Sequence, residues 1–530
     1  MRAGVDLAAN LIGATLGPGG RNVAYARSMG APRLTNDGAT IANELEEVRD
    51  PVLDLGLQLM RRAAQTADDA GGDGTTTAVV LAQAIVHRGL YNIAAGASGI
   101  RLREGLERGF EAAAAALRDL ARPAESTEQL RHVATVSSED PPMGRLIADM
   151  ATAVGPDGLI LADYHRGTKR LEARYIDGMQ IDRGWLSPLF NEGANRIQVT
   201  LEQPYVLLTD RDLDHERDLV PVLDQVRASG PATILVVARN VRDRALHLLL
   251  QNRAQGRLNV IAVKAPSFGT EMLEMLEDLA ALTGATVVSE GLGASWNDVP
   301  LEWLGRCRRA VVNRTTTVIL EGEGREPEIR DRQRQIRAQV EQARTDVDRR
   351  RLERRVARLG EAVGMMLVGG ITEQERRARK DKADDAVAAV RRARESGVVP
   401  GGGAAYVRAQ DAVARAADTL SGDAATGART LHDALEAPIR RIARNAGERP
   451  SVVLDRVRQM EPWGTWDALR REYVDAYAGG LLDPLATKLS SLQAAVSVGQ
   501  MVLTTDAIVC EKRSVPIPRS PRAAASRGPF

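Results

Sequence analysis

The chain changes texture twice along its length, and this limits its architecture more than any other feature. Residues 1–120 read as helical segments separated by glycine-rich breaks: TLGPGGRN at 15–22, NDG at 36–38 and GGDGTTT at 71–77. From about residue 155 short β-rich runs take over, LILA at 159–162, YVLLTD at 205–210, ATILVVA at 232–238 and NVIAVKAP at 259–266. The helical patterns ERDLVPVLDQVRAS and EMLEMLEDLAALTG lie between some of them. After residue 375 an Ala/Arg-rich helical character returns and runs to about 500, broken by GVVPGGG at 397–403 and GGLLDP at 479–484. Helices therefore begin and end the protein, an α/β region lies between, and 530 residues argue for about three domains.

Two local patterns sharpen this. EGLERGFEAAAAALRDLA at 104–121 predicts a long helix stopped by Pro123. Residues 325–360, densely charged with apolar Ile329, Ile336, Val340, Val347, Leu352, Val356 and Leu359, predict a solvated helical hairpin. The last twenty residues, 511–530, carry five cations, one acid and four prolines and predict a disordered basic tail.

Composition excludes several function classes. Hydrophobic residues at 44% suffice for a sizeable core, but aromatics at 3% leave Ala, Val, Leu and Ile to build it. A net charge of +1 gives no electrostatic pull towards nucleic acid or an anionic membrane. Cys307 and Cys510 lie too far apart for a disulfide framework or a cysteine metal cluster and suit a reducing cytosol. With no apolar run near the ~18 residues of a membrane span and no secretory pattern at the start, the expectation is a soluble cytoplasmic protein. The histidines show no HxxxH or HExxH spacing, no GxSxG elbow occurs, and no Walker GxxxxGK[ST] is present.

The most specific segment is Gly71-Gly72-Asp73-Gly74-Thr75-Thr76-Thr77, which opens the helical pattern AVVLAQAIVHRG. Free backbone N–H groups and the positive end of the helix dipole favour an anion there, the hydroxyls add donors, and glycine lets the backbone approach a phosphate. Asp73 beside such an anion calls for a hard cation such as Mg²⁺ between them. An ordinary helix cap is the alternative, but it needs one oxygen rather than this run. Thr15-Leu16-Gly17-Pro18-Gly19-Gly20 is a second glycine-rich turn, able to wrap phosphates or merely to end a helix. Gly401 to Gly403 could approach an adenosine closely or just form a loop. Asp37 and Asp385 carry carboxylates able to orient an attacking water, although each taken alone reads as a turn or helix-surface residue.

Taken in order, TLGPGGRN, TNDG, GDGTTTA, DGMQIDRG, VKAPSFG, GVVPGGG and LLDP resemble the signature segments of the group I chaperonins, the bacterial GroEL family, over residues 2 to about 508. The resemblance implies an α+β multidomain fold with a mainly helical equatorial ATPase domain (1–119 and 397–510), a small intermediate hinge domain (120–177 and 364–396) and an inserted α/β apical domain (178–363). It implies an ATP-dependent, protein-folding subunit of a seven-membered homo-oligomeric ring, one or two rings deep, with non-native polypeptides and a GroES-type co-chaperonin as partners and neither nucleic acid nor membrane. The implied ATP contacts are Thr15, Leu16, Gly17, Pro18, Asn36, Asp73, Gly74, Thr75, Thr76, Thr77, Gly402, Asp467, Ala468, Leu469 and Asp483. Asp73 would hold Mg²⁺, K⁺ would assist, and Asp37 and Asp385 would be catalytic. The implied client and co-chaperonin surface is Trp185, Leu189, Phe190, Val220, Leu223, Leu246 and Leu250; judged without the family, the Val and Leu residues from 220 onward read as core. Several positions depart from the family pattern: Gly19 and Asn36 replace lysines, Asp467-Ala468-Leu469 replaces Asn-Ala-Ala, Arg449 replaces an acid, and Glu361-Ala362 replaces Gly-Gly. The alternative they leave open is a divergent paralogue acting as holdase or scaffold with weak or no ATPase.

Overall fold

The computed structural model describes residues 1–510 apart from 26–32, 46, 47, 49, 72, 73, 156, 157, 166–170, 192–197, 231, 232, 290–295, 297, 298, 344, 360 and 361. The predicted tail, 511–530, lies outside the described residues. The chain forms two compact units, one from Met1–Pro123 with the described part of Ser396–Phe530, the other from Ala124–Glu395.

The first unit is helical. Its core joins Val5, Ala8 and Ile12 of the helix Arg2–Gly13, Leu81 and Ile85 of Thr75–Ala94, Leu106 and Leu117 of Gly99–Leu120, and Leu492 and Val496 of Leu485–Leu503. With few aromatics, the helices pack almost backbone to backbone. A Cβ on Gly105 would fall 1.9 Å from the Ala424 carbonyl oxygen, where Gly99–Leu120 meets the helix Gly422–Ala434. Tyr406 is the largest fully buried side chain, and its hydroxyl donates to Lys488 O at 2.9 Å. Burial and the Asp483 carboxylate push its phenol above the usual range. Three short antiparallel pairs decorate the helices: Val23–Tyr25 with Arg33–Thr35, Val398–Pro400 with Leu482–Pro484, and Gly464–Asp467 with Glu472–Asp475.

The second unit holds a nine-stranded mixed sheet. Along it run Ile160–Tyr164, Ala362–Val368, Leu171–Ile181, Thr317–Gly322, Gly305–Asn313, Tyr205–Leu213, Thr233–Val241 and Asn259–Lys264, with Gln198–Glu202 also paired to Gly305–Asn313. The four β-rich runs of the sequence are all strands of this sheet, and Tyr205–Leu213, Thr233–Val241 and Asn259–Lys264 run parallel, as continuous Val/Ile/Leu runs buried on both faces should. The helices Val220–Ala228, Asp243–Ala254 and Gly269–Thr283 cover it. Helices Glu326–Gln342 and Asp346–Arg358 form the charge-laced hairpin around Ile336, Leu352 and Leu359. Fully buried Asp278 fastens it, accepting from Arg332 Nε at 2.7 Å and from Arg355 Nε at 2.8 Å. Among the described residues, no helix is long and apolar enough to cross a membrane.

Candidate functional site

Gly74, at φ +94°, is the N-cap residue of Thr75–Ala94, and the first helical bond runs from Ala78 N to Gly74 O. The start of a long helix, with its backbone N–H groups and positive dipole end, is a favourable place for an anion. Gly74 is glycine for two reasons. Its φ is left-handed, and a Cβ there would lie 2.4 Å from Ser491 Oγ and 2.8 Å from Thr487 Cγ2. Ser491 Oγ lies 3.0 Å from Gly74 O, so the helix Leu485–Leu503 holds the turn from behind. Thr75 and Thr77 are buried and Thr76 is half-buried. Asp73, the expected metal ligand, lies outside the described residues.

Gly38 touches that helix start directly, and the other candidate residues of this unit have contacts of their own. Gly38 packs so closely on Thr76 that a Cβ would fall 2.3 Å from Thr76 Oγ1, which brings the Asn36-Asp37-Gly38 turn to the threonines. Asp37 caps the helix Gly38–Glu44, accepting from Ala39 N at 3.2 Å and Thr40 N at 2.7 Å. Thr15 is buried and its hydroxyl donates to Ile12 O. Asn445 Nδ2 donates to Gly13 O and Leu16 O, both at 2.9 Å, and fixes the Thr15–Pro18 turn. Leu16 and Ala468 each pack against the buried cluster that holds Ile442 and Trp466. Gly402, at φ +66°, lies against Thr465, whose hydroxyl donates to Gly401 O at 2.9 Å. Asp483 pairs in register with Val399 and bonds Lys488 Nζ at 2.7 Å. Asp467 closes a turn by accepting from Leu469 N and Arg470 N, and Leu469 is exposed. Two glycine-rich turns, the start of Thr75–Ala94 and a short hairpin thus belong to one unit. Among the described residues no cluster of three His, Cys, Asp or Glu side chains is placed to hold a metal.

Asn445, Thr465, Thr487, Lys488 and Ser491 hold the candidate residues or their chain neighbours in place, and no spacing in the sequence points to them. Gly19 has its own explanation: a Cβ there would fall 2.7 Å from Ala446 N and Cα, so no side chain fits without moving backbone.

In the second unit, Asp385 lies half-buried on the helix Glu373–Ser396. On the same helix, Lys380 bonds Asp384 at 2.5 Å; burial opposes its charge, but the Asp384 carboxylate outweighs that and raises its pKa. Arg379 reaches Asp140 and Lys382 pairs with Glu139, which ties the helix to the start of Pro141–Val154. Of the expected apolar surface, Leu189 and Val220 are exposed, and Trp185, Leu246 and Leu250 are half-buried. Phe190 and Leu223 depart from the surface reading: both are buried in the core with Val222, Val226 and Leu249, because the helices bearing the surface need apolar anchors beneath. Leu189, His247, Leu250, Gln251, Arg253 and Leu258 line a groove of about 670 Å³.

The model of the TCP-1/cpn60 chaperonin family matches residues 8–513. This chain belongs to that family. Among solved structures, the chaperonin gp146 of bacteriophage EL 2 (Pseudomonas aeruginosa), crystallised in the presence of ATP-BeFx, is similar to it with a TM-score of 0.69 at 21% identity. The match covers 96% of this chain and 97% of gp146, so the multidomain chaperonin fold extends over nearly the whole protein. The resemblance carried by the glycine-rich motifs is thus borne out at the level of family and fold.

Proposed function

We propose that this chaperonin is an ATP-hydrolysing subunit that binds non-native polypeptides and promotes their folding inside a seven-membered ring closed by a GroES-type co-chaperonin. The feature that supports the reading is the glycine-rich start of Thr75–Ala94, with Gly74 at φ +94°, in the same unit as Thr15–Pro18, Asp37, Gly402 and Asp483. The residues fit a nucleoside triphosphate: the first N–H groups of the helix and the Thr75–Thr77 hydroxyls would donate to phosphate oxygens, and the glycines at 17, 74 and 402 place no Cβ there. Magnesium, when bound, neutralises phosphate charge, with Asp73 as its protein ligand, and K⁺ adds a second cation. Asp37 and Asp385 position the attacking water. Asp37 holds its carboxylate still through two backbone N–H bonds. Asp385 belongs to the intermediate part of the threefold division given above and arrives with that part. Trp185, Leu189, Val220, Leu246 and Leu250 supply non-directional apolar contact to clients, with Phe190 and Leu223 as support beneath.

Asp385→Ala tests the assignment: ADP binding stays near wild type while steady-state ATP turnover is lost. Equal turnover in the variant rejects the role. A second reading, a holdase with weak turnover, draws support from Gly19, whose contact with Ala446 leaves no room for the family's lysine. An ATPase assay with and without K⁺ separates the two, since a scaffold shows nothing above background.

A further inference from the structure

The chain leaves the first unit after Pro123 and re-enters it at Ser396, and the segments flanking these two points are bonded to each other. Arg122 N donates to Val398 O at 2.9 Å, and Val398 N donates to Arg122 O at 2.7 Å. Gly397 permits this approach: at φ +82° it sits where a Cβ would meet Arg122 O at 2.6 Å. The Arg122 guanidinium then lies over two rings, 4.3 Å from the centroid of Trp463 and 5.1 Å from that of Tyr477. Those rings stand edge to face, 5.3 Å apart at 89°.

Trp463 and Tyr477 flank the base of the hairpin Gly464–Asp475. Ala476 N donates to Trp463 O at 2.7 Å, and the ladder from Gly464↔Asp475 to Asp467↔Glu472 carries to the tip, which bears the candidate nucleotide contacts Asp467, Ala468 and Leu469. The base is held rigid by Arg408, on the helix that begins after Gly403. Its guanidinium donates to Val457 O at 2.8 Å, Glu461 O at 2.9 Å and Gly464 O at 3.1 Å. Four ladder pairs at ~3.3 Å per residue therefore act as a stiff arm with Arg122 at one end and the candidate nucleotide contacts at the other.

We propose that Arg122 is a positioning residue for the candidate nucleotide site: through Trp463 and Tyr477 it couples the hairpin tip to the paired segments where the chain passes between its two units. The proposal rests on the nucleotide reading of that site for its function, but not for its geometry. Charge over aromatic faces is the working interaction, so Arg122→Lys should preserve it and Arg122→Met, which keeps the aliphatic stem, should not.

The test is amide hydrogen exchange of the full-length protein without nucleotide, followed by equilibrium ADP binding, in wild type and both variants. In Arg122→Met, exchange should quicken about two- to fivefold at Val398 and by a similar factor in the 464–475 hairpin, with an ADP affinity loss of the same order. Arg122→Lys should restore all three. Faster exchange at Val398 with an unchanged hairpin, or a lysine variant that behaves like methionine, overturns the proposal. Wild-type protein that binds no ADP defeats the nucleotide reading instead, while the exchange comparison still decides whether Arg122 governs the hairpin.

Discussion

Gly74→Ala separates backbone strain from crowding at the helix start. At φ +94° an alanine bears the left-handed penalty of about 1–2 kcal/mol. Its Cβ also meets Ser491 Oγ at 2.4 Å and Thr487 Cγ2 at 2.8 Å, an overpacking that costs about 1–3 kcal/mol in a filled site. The sum is about 2–5 kcal/mol. Gly96 supplies the control at the other end of the same helix: it has φ +99° and nothing within 4 Å of an added Cβ, so Gly96→Ala should lose only the strain part, about 1–2 kcal/mol. Urea unfolding of both variants, followed by the fluorescence of Trp463 and Trp466 in the same unit, measures the difference. ADP affinity should fall for Gly74→Ala and stay unchanged for Gly96→Ala. Equal unfolding midpoints for the two, or wild-type ADP affinity in Gly74→Ala, would refute the packing argument.

Other substitutions probe separate parts of the account. Gly19→Lys, which writes the family's residue back, should lower stability and leave ATP turnover no higher, because its Cβ meets Ala446 backbone at 2.7 Å; a gain in turnover would contradict this. Asp278→Ala removes the fully buried carboxylate that Arg332 and Arg355 share, leaves them Glu277 and Glu274 as partners, and should cost about 1–3 kcal/mol, read as early proteolytic cutting within the 326–358 hairpin. Burial pushes the Cys307 thiol up to about 12, so at pH 8 a disulfide reagent should modify Cys510 and spare Cys307 until the protein is denatured. Because the folded thiol keeps its proton above the ordinary value of 9.0, unfolding free energy should decline as pH rises from there through about 12, and Cys307→Ala should flatten that decline.

Local order was the most legible part of the sequence. The alanine-rich run at 104–121 lies in Gly99–Leu120 almost to the residue, and the branched runs at 205–210 and 232–238 lie in buried parallel strands, since periodicity and side-chain branching act within one element. The charged stretch 325–360 likewise forms the predicted helix pair. Order along the nine-stranded sheet was not legible, because Ala362–Val368 pairs with Ile160–Tyr164 across about two hundred residues and no short-range signal records it. At the candidate site, Gly74 and Thr75–Thr77 announce themselves, whereas Ser491 and Thr487 enter from a helix some four hundred residues later. Phe190 and Leu223 look identical to surface leucines and aromatics in the sequence; only the core that both enter, from Pro188–Asn191 and Val220–Ala228, decides that they face inward. Arg122 was hidden for a related reason. Its aromatic partners lie beyond residue 460, and arginine is too common in this chain to stand out.

The most direct measurement is calorimetric titration of the full-length protein with ADP in the presence and absence of Mg²⁺, alongside Asp73→Ala and Gly74→Ala. The account predicts one saturable site per chain that tightens with Mg²⁺, loses that tightening in Asp73→Ala and weakens in Gly74→Ala. Absence of binding, or binding that neither substitution changes, would contradict it.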